Sequence, residues 1–169
     1  KKAINMGDPY KMVLLNIIVS TILIIAVTLY VFVYPKKKVN LLFLLFLISI
    51  LPIISIFREG TYESGDLTQH SAILSSFYES LREGNIIPQW AGKLCGGFGC
   101  PVHMFEYPLP YHIGSFYNFL GFSALNSINL LIASSYIISG IGMYLWAKEE
   151  FGKIPGFTAA LLYLFASFH

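Results

Sequence analysis

Charge is what this sequence has little of. Only 12% of its 169 residues are Asp, Glu, Lys or Arg, about half the roughly 25% of a soluble domain. Hydrophobic residues make up 56% and the mean hydropathy is +0.66, so a lipid-embedded chain is expected. The net charge of +2 is too small to point to nucleic acid. No signal-peptide pattern appears, because the first apolar run is too long and no small-residue cleavage site follows it. Cysteine is scarce, with Cys95 and Cys100 alone. Asp-x-Asp and Glu-x-Asp pairs are missing from the polar loop. Gly96, Gly97 and Gly99 make no phosphate loop, since the Lys-Ser/Thr ending is absent. The chain opens on Lys1 rather than Met and stops at His169 inside an apolar run, so an amino-terminal piece of a longer protein is expected.

Long apolar runs are what the sequence has in plenty. Met12 to Tyr34 carries no charge, and about 20 such residues span a bilayer core. Pro35-Lys36-Lys37-Lys38 breaks the run, and Val39 to Phe57 follows as the second arm of a helical hairpin. Lys36–Lys38 belong on the cytoplasmic side by the positive-inside rule, which sends residues 58–107 to the outer face. Later runs at 108–120, 125–146 and 154–169 predict three more membrane helices, with Lys148 to Lys153 as a polar loop. The expected architecture is an all-α, polytopic membrane domain over 1–169. Ser135, Ser139 and Gly142 form a small-residue stripe that lets a neighbouring helix approach.

The polar, Gly/Pro-rich stretch from Gly65 to Tyr111 is where chemistry is expected. Asp66 to Glu83 reads as an amphipathic helix, with Asp66 as N-cap and Gly84 as C-terminal stop. Leu67, Leu74, Phe77, Tyr78 and Leu81 face one way, and the expectation is a helix lying flat in the interface. Asp66 is a candidate general base, at the edge of low dielectric where a carboxylate pKa rises; capping alone is the plainer role. His70 lies one turn on, placed to share a divalent ion or hold a phosphate, or to sit solvated on the polar side. Glu59, Glu63, Asp66 and His70 share a helical spacing that Gly60 and Gly65 interrupt, so no four-ligand metal site is assigned. Cys95 and Cys100 suit free thiols or a disulfide better than zinc, with or without His103. Arg58, Arg82 and Lys93 are the cations able to pair with a phosphate. Trp90, Tyr107 and Tyr111 are aromatics suited to a sugar ring or to interfacial anchoring. Glu106 is a second carboxylate that could face Asp66, although nothing in the sequence places it there.

Several motifs then stand in order: the early Asp66, Gly84-x-x-x-Pro88-x-Trp90, Gly97-Phe98-Gly99-x-Pro101, Tyr107-Pro108-Leu109-Pro110-Tyr111, Gly140-x-Gly142-Met143-Tyr144 and Ala159-Ala160-Leu161-Leu162-Tyr163. From about Gly65 onward the chain resembles the membrane proteins called "6-pyruvoyl-tetrahydropterin synthase-related", and its layout is similar to the GT-C glycosyltransferases. The zinc-binding histidines of the soluble pterin synthase have no counterpart. The resemblance implies an enzyme that transfers a sugar from a polyprenyl-phosphate donor to an acceptor at the outer face of the cell membrane. Asp66 would be catalytic, and His70, Arg82, Trp90, Glu106 and Tyr107 would bind substrate. A divalent cation such as magnesium or manganese is compatible with that role. The resemblance also favours a full crossing by 108–120. The expected partners are the lipid bilayer and a lipid-linked sugar donor, with no nucleic acid. A reading from another class is a non-catalytic scaffold or transporter component in envelope assembly. The charge-free spans argue against transport.

Overall fold

The computed structural model describes residues 9–34, 39–57 and 66–166. Among these the chain is all-helical, with no strand. Seven α-helices follow one another: α1 (Pro9–Val33), α2 (Leu41–Ile53), α3 (Leu67–Arg82), α4 (Val102–Phe105), α5 (Pro108–Phe119), α6 (Ala124–Phe151) and α7 (Lys153–Leu164). One of them, α6, is long and apolar enough to cross a membrane. Its 28 residues rise about 42 Å, against a hydrocarbon core of about 30 Å. Helix α5, with 12 residues, rises only about 18 Å. The full crossing expected at 108–120 therefore fails on length.

The chain divides into two units, one made of residues 1–61 and 133–169, the other of 62–132. In the first, α2 begins at Asn40, whose side chain accepts from the backbone N–H of Leu42 and Phe43 at 3.1 and 3.2 Å. Such a cap is worth about 1 kcal/mol. Pro52 lies in the last turn of α2, where it removes a backbone donor, and the chain tightens into a 3-10 turn over Ile54–Phe57. In α1, the hydroxyls of Thr21 and Thr28 donate to the carbonyls of Ile17 and Ile24 at 2.7 and 2.8 Å, so both are satisfied within the helix.

The core of this unit gathers Leu45 of α2, Tyr144 of α6, and Ala160 and Leu164 of α7. Two glycines bring α6 and α7 together. A Cβ at Gly140 would stand 2.8 Å from the Leu164 methyls, and one at Gly156 would stand 2.7 Å from the backbone nitrogen of Lys148. The Tyr136 hydroxyl donates to the Leu164 carbonyl across the same contact. Among the described residues the α6–α7 contact does not use the expected stripe of Ser135, Ser139 and Gly142. Gly142 meets nothing within 4 Å, and the Ser139 hydroxyl bonds its own helix at Tyr136. Nor is there a polar loop from Lys148 to Lys153. Lys and Glu are good helix formers, so α6 continues to Phe151, and Gly152 alone, at φ +90°, turns the chain into α7.

The second unit holds α3, α4, α5 and the start of α6. Helix α3 ends as its sequence suggests. Gly84, at φ +92°, donates to the Leu81 carbonyl, and Asn85 donates to that of Ser80, both at 3.0 Å. This is the paired bonding of a Schellman stop. The apolar face of α3 does not lie free for a bilayer surface. Leu74 is 0% and Phe77 1% exposed, because α5 and α4 cover them. The apolar stripe that suggested an interfacial helix is packed within the protein. The Ser127 hydroxyl donates to Asn118 Oδ1 at 2.7 Å, tying the start of α6 to α5.

The glycine contacts predict a graded response to added methyl groups. Gly140→Val and Gly156→Val should each destabilise the protein by about 1–3 kcal/mol through overpacking. Gly142→Val should change stability by less than about 0.5 kcal/mol. Thermal unfolding of the detergent-solubilised variants checks the order.

Candidate functional site

Helices α3 and α5 run side by side in the same direction. Near their starts, His70 Nδ1 lies 2.7 Å from the Tyr111 hydroxyl. One turn further along both, Leu74 rests on Gly114, where a Cβ would stand 2.9 Å from a leucine methyl. Gly114 therefore sets how closely the helices approach, and the approach decides that a histidine and a tyrosine 41 residues apart can bond. Phe77 completes the seam, stacking tilted against Tyr111 at 5.7 Å and edge-on to His112 at 5.0 Å.

At the His70–Tyr111 end the seam opens into a cavity of about 300 Å³, at the lower bound of ligand pockets. Asp66, His70, Glu106, Tyr107 and Tyr111 form its polar lining; Leu67, Pro110, Ile128, Leu131 and Ile132 form its apolar wall. Four of the six expected site residues, Asp66, His70, Glu106 and Tyr107, thus line one cavity. Arg82 lines a different one. Trp90 lines neither; it lies over Gly99, where a Cβ would collide with the indole.

Asp66 precedes the first turn of α3, but its carboxylate makes no capping bond. The helix does not consume it, and it remains exposed at the cavity. Glu106 reaches the same cavity from the turn between α4 and α5. Burial, then the charge of Glu106, then a hydrogen bond to that carboxylate push the Tyr111 hydroxyl up to about 12. The phenol is thus neutral at ordinary pH, with a single proton to give. His70 Nδ1 and the Tyr111 hydroxyl share one hydrogen bond, and the Glu106 carboxylate lines the same cavity.

A metal is less well served. Among the described residues no three His, Cys, Asp or Glu side chains gather as a ligand set. Glu59, Glu63 and Arg58 lie outside the described residues. His103 is buried edge-on against Phe77 at 5.2 Å, with both ring nitrogens unpartnered, and burial lowers its pKa. Cys95 and Cys100 are free thiols, the first exposed. They lie in a small loop closed by mutual backbone bonds between Ala91 and Cys100 at 2.8 and 3.2 Å. Lys93 is held by Glu79 at 2.7 Å on the surface.

The apolar wall from α6 was not legible as part of a site. Ile128, Leu131 and Ile132 sit in a run so evenly apolar that no periodicity marks the face turned to the cavity.

Because Tyr111 titrates higher in the folded chain than its ordinary value near 10, it favours the folded state below pH ~10. That contribution should fade as pH rises from about 10 towards 12. Tyr111→Phe should abolish the fade. It should also cost about 1 kcal/mol at neutral pH by leaving His70 without its partner. Unfolding measured across this pH range tests both.

A protein of Lactococcus lactis subsp. cremoris, described as an uncharacterized protein, is 27% identical to this chain over 139 residues. The match covers 78% of this chain and 22% of the relative, so the chain spans about a fifth of the length of the relative it matches. No family model matches the chain, and no solved structure matches it.

Proposed function

We propose that the chain is part of a polytopic membrane glycosyltransferase of the GT-C kind, with its site in the cavity at the start of α3 and α5. The observation that carries the reading is the meeting there of Asp66, His70, Glu106 and Tyr107 from segments some 40 residues apart in sequence. A carboxylate free of its helix, beside a histidine–tyrosine pair and an apolar wall, suits an acceptor hydroxyl and a lipid-linked donor. The membrane setting draws on α6, which is long enough to cross, and on α1. That helix runs 25 residues and exposes Leu14, Ile17, Ile22, Ile24 and Leu29, apolar surface that lipid would cover. With Lys36–Lys38 cytoplasmic and 39–57 taken as the return span, residues 58–107 would go to the outer face.

In this mechanism Asp66 takes the proton of the acceptor hydroxyl as its oxygen bonds to the anomeric carbon. The bond from that carbon to the phosphate oxygen breaks, and the lipid phosphate leaves with the electron pair. Asp66 is itself exposed at the cavity, so it returns the proton directly to solvent. No step runs through a metal. Arg82 lines another cavity and is not assigned to the leaving phosphate; Arg58 keeps that role as a candidate.

Asp66→Asn in the intact protein should lower sugar transfer by about 10²-fold or more. It should leave thermal stability nearly unchanged, because the carboxylate makes no capping bond. Transfer of radiolabelled sugar into envelope glycans or glycolipids is the readout. Unchanged transfer would remove Asp66 from the chemistry.

A further inference from the structure

A second cavity lies further along the same pair of helices, and it has a chemistry of its own. It measures about 740 Å³ and is lined by Tyr78, Leu81 and Arg82 of α3 and by His112, Ser115 and Phe116 of α5, with Phe119 at its end. Ser115 is 3% exposed, yet its hydroxyl has no hydrogen-bond partner. A helical serine ordinarily turns back to a carbonyl of the preceding turn, and an unpartnered buried hydroxyl costs about 1–3 kcal/mol. Arg82 is exposed and has no ion pair among the described residues. A lone arginine in a last helical turn would be explained by the helix dipole. The buried, unpartnered Ser115 in the same cavity is not.

We infer that this cavity binds the phosphate group of an amphiphile. Arg82 meets the phosphate as a charged fork, and His112 and Ser115 supply further donors. Leu81, Phe116 and Phe119 provide an apolar wall that free phosphate has no use for. The inference stands apart from the acid–base reading of the first cavity, since the two share no lining residue.

The test uses the intact protein in detergent and radiolabelled dioleoyl phosphatidic acid as probe. Retention of the probe is competed with unlabelled phosphatidic acid, phosphatidylcholine or inorganic phosphate. The probe should be retained, displaced by phosphatidic acid, and little affected by the other two. Arg82→Gln should weaken retention about tenfold or more, the usual worth of a charged hydrogen bond. Ser115→Ala should weaken it several-fold while leaving the unliganded protein as stable or more so, because it deletes an unpartnered group. Lys93→Gln, which removes a surface charge outside both cavities, should not alter retention. Equal retention by both variants would overturn the inference, as would equal competition by phosphatidylcholine. Full displacement by inorganic phosphate at matched concentration would overturn it too, by showing a site with no use for an apolar tail.

Discussion

The contact of Leu74 with Gly114 is the constraint on which the second unit depends. A side chain at position 114 would push α5 away from α3, and little else in the seam would survive that shift. His70 would lose the Tyr111 hydroxyl, Phe77 would lose the rings it stacks on, and the cavities at either end would open. Leu74 and Phe77 are almost wholly buried, so the hydrophobic effect holds the seam shut. The hydrogen bond at its mouth contributes less energy but more direction: it holds His70 and Tyr111 together at the cavity that Glu106 also lines.

Parts of this were legible in the sequence for local reasons. Gly84 after an amphipathic run announced the end of α3, and the pattern of Leu67, Leu74, Phe77 and Leu81 marked its buried face. What covers that face was not legible. An apolar stripe at this spacing suits a bilayer surface and a neighbouring helix equally well, and the partner, α5, lies about thirty residues downstream. Gly114 stands in an apolar run with nothing local to single it out, although it is the residue that admits Leu74. Likewise Gly142 drew notice for its spacing, while Gly140 and Gly156 do the packing. Spacing places residues on one face of a helix but does not say which face meets a neighbour.

The candidate site divides along the same line. Asp66 was singled out because it precedes a helix, and its carboxylate turns out not to serve that helix. Glu106 and Asp66 line a common cavity because α4 and the following turn return the chain to the start of α3, a long-range closure that no short motif encodes. Arg82 and Asp66 were paired as parts of one mechanism. With fifteen residues of helix between them, they lie at opposite ends of α3 and line separate cavities. The length of a helix, read with its limits, was enough to foresee that separation.

We propose that the segment from α3 to α5 lies at the outer face of a membrane. The most direct measurement is the sidedness of Cys95, which is exposed and not in a disulfide. The neighbouring Cys100 thiol, by accepting or donating a hydrogen bond, raises its pKa. Labelling should therefore be run at mildly alkaline pH, where more of the reactive thiolate is present. A membrane-impermeant thiol reagent should modify it in intact cells. Modification only after permeabilisation would place the unit on the cytoplasmic side and contradict the account.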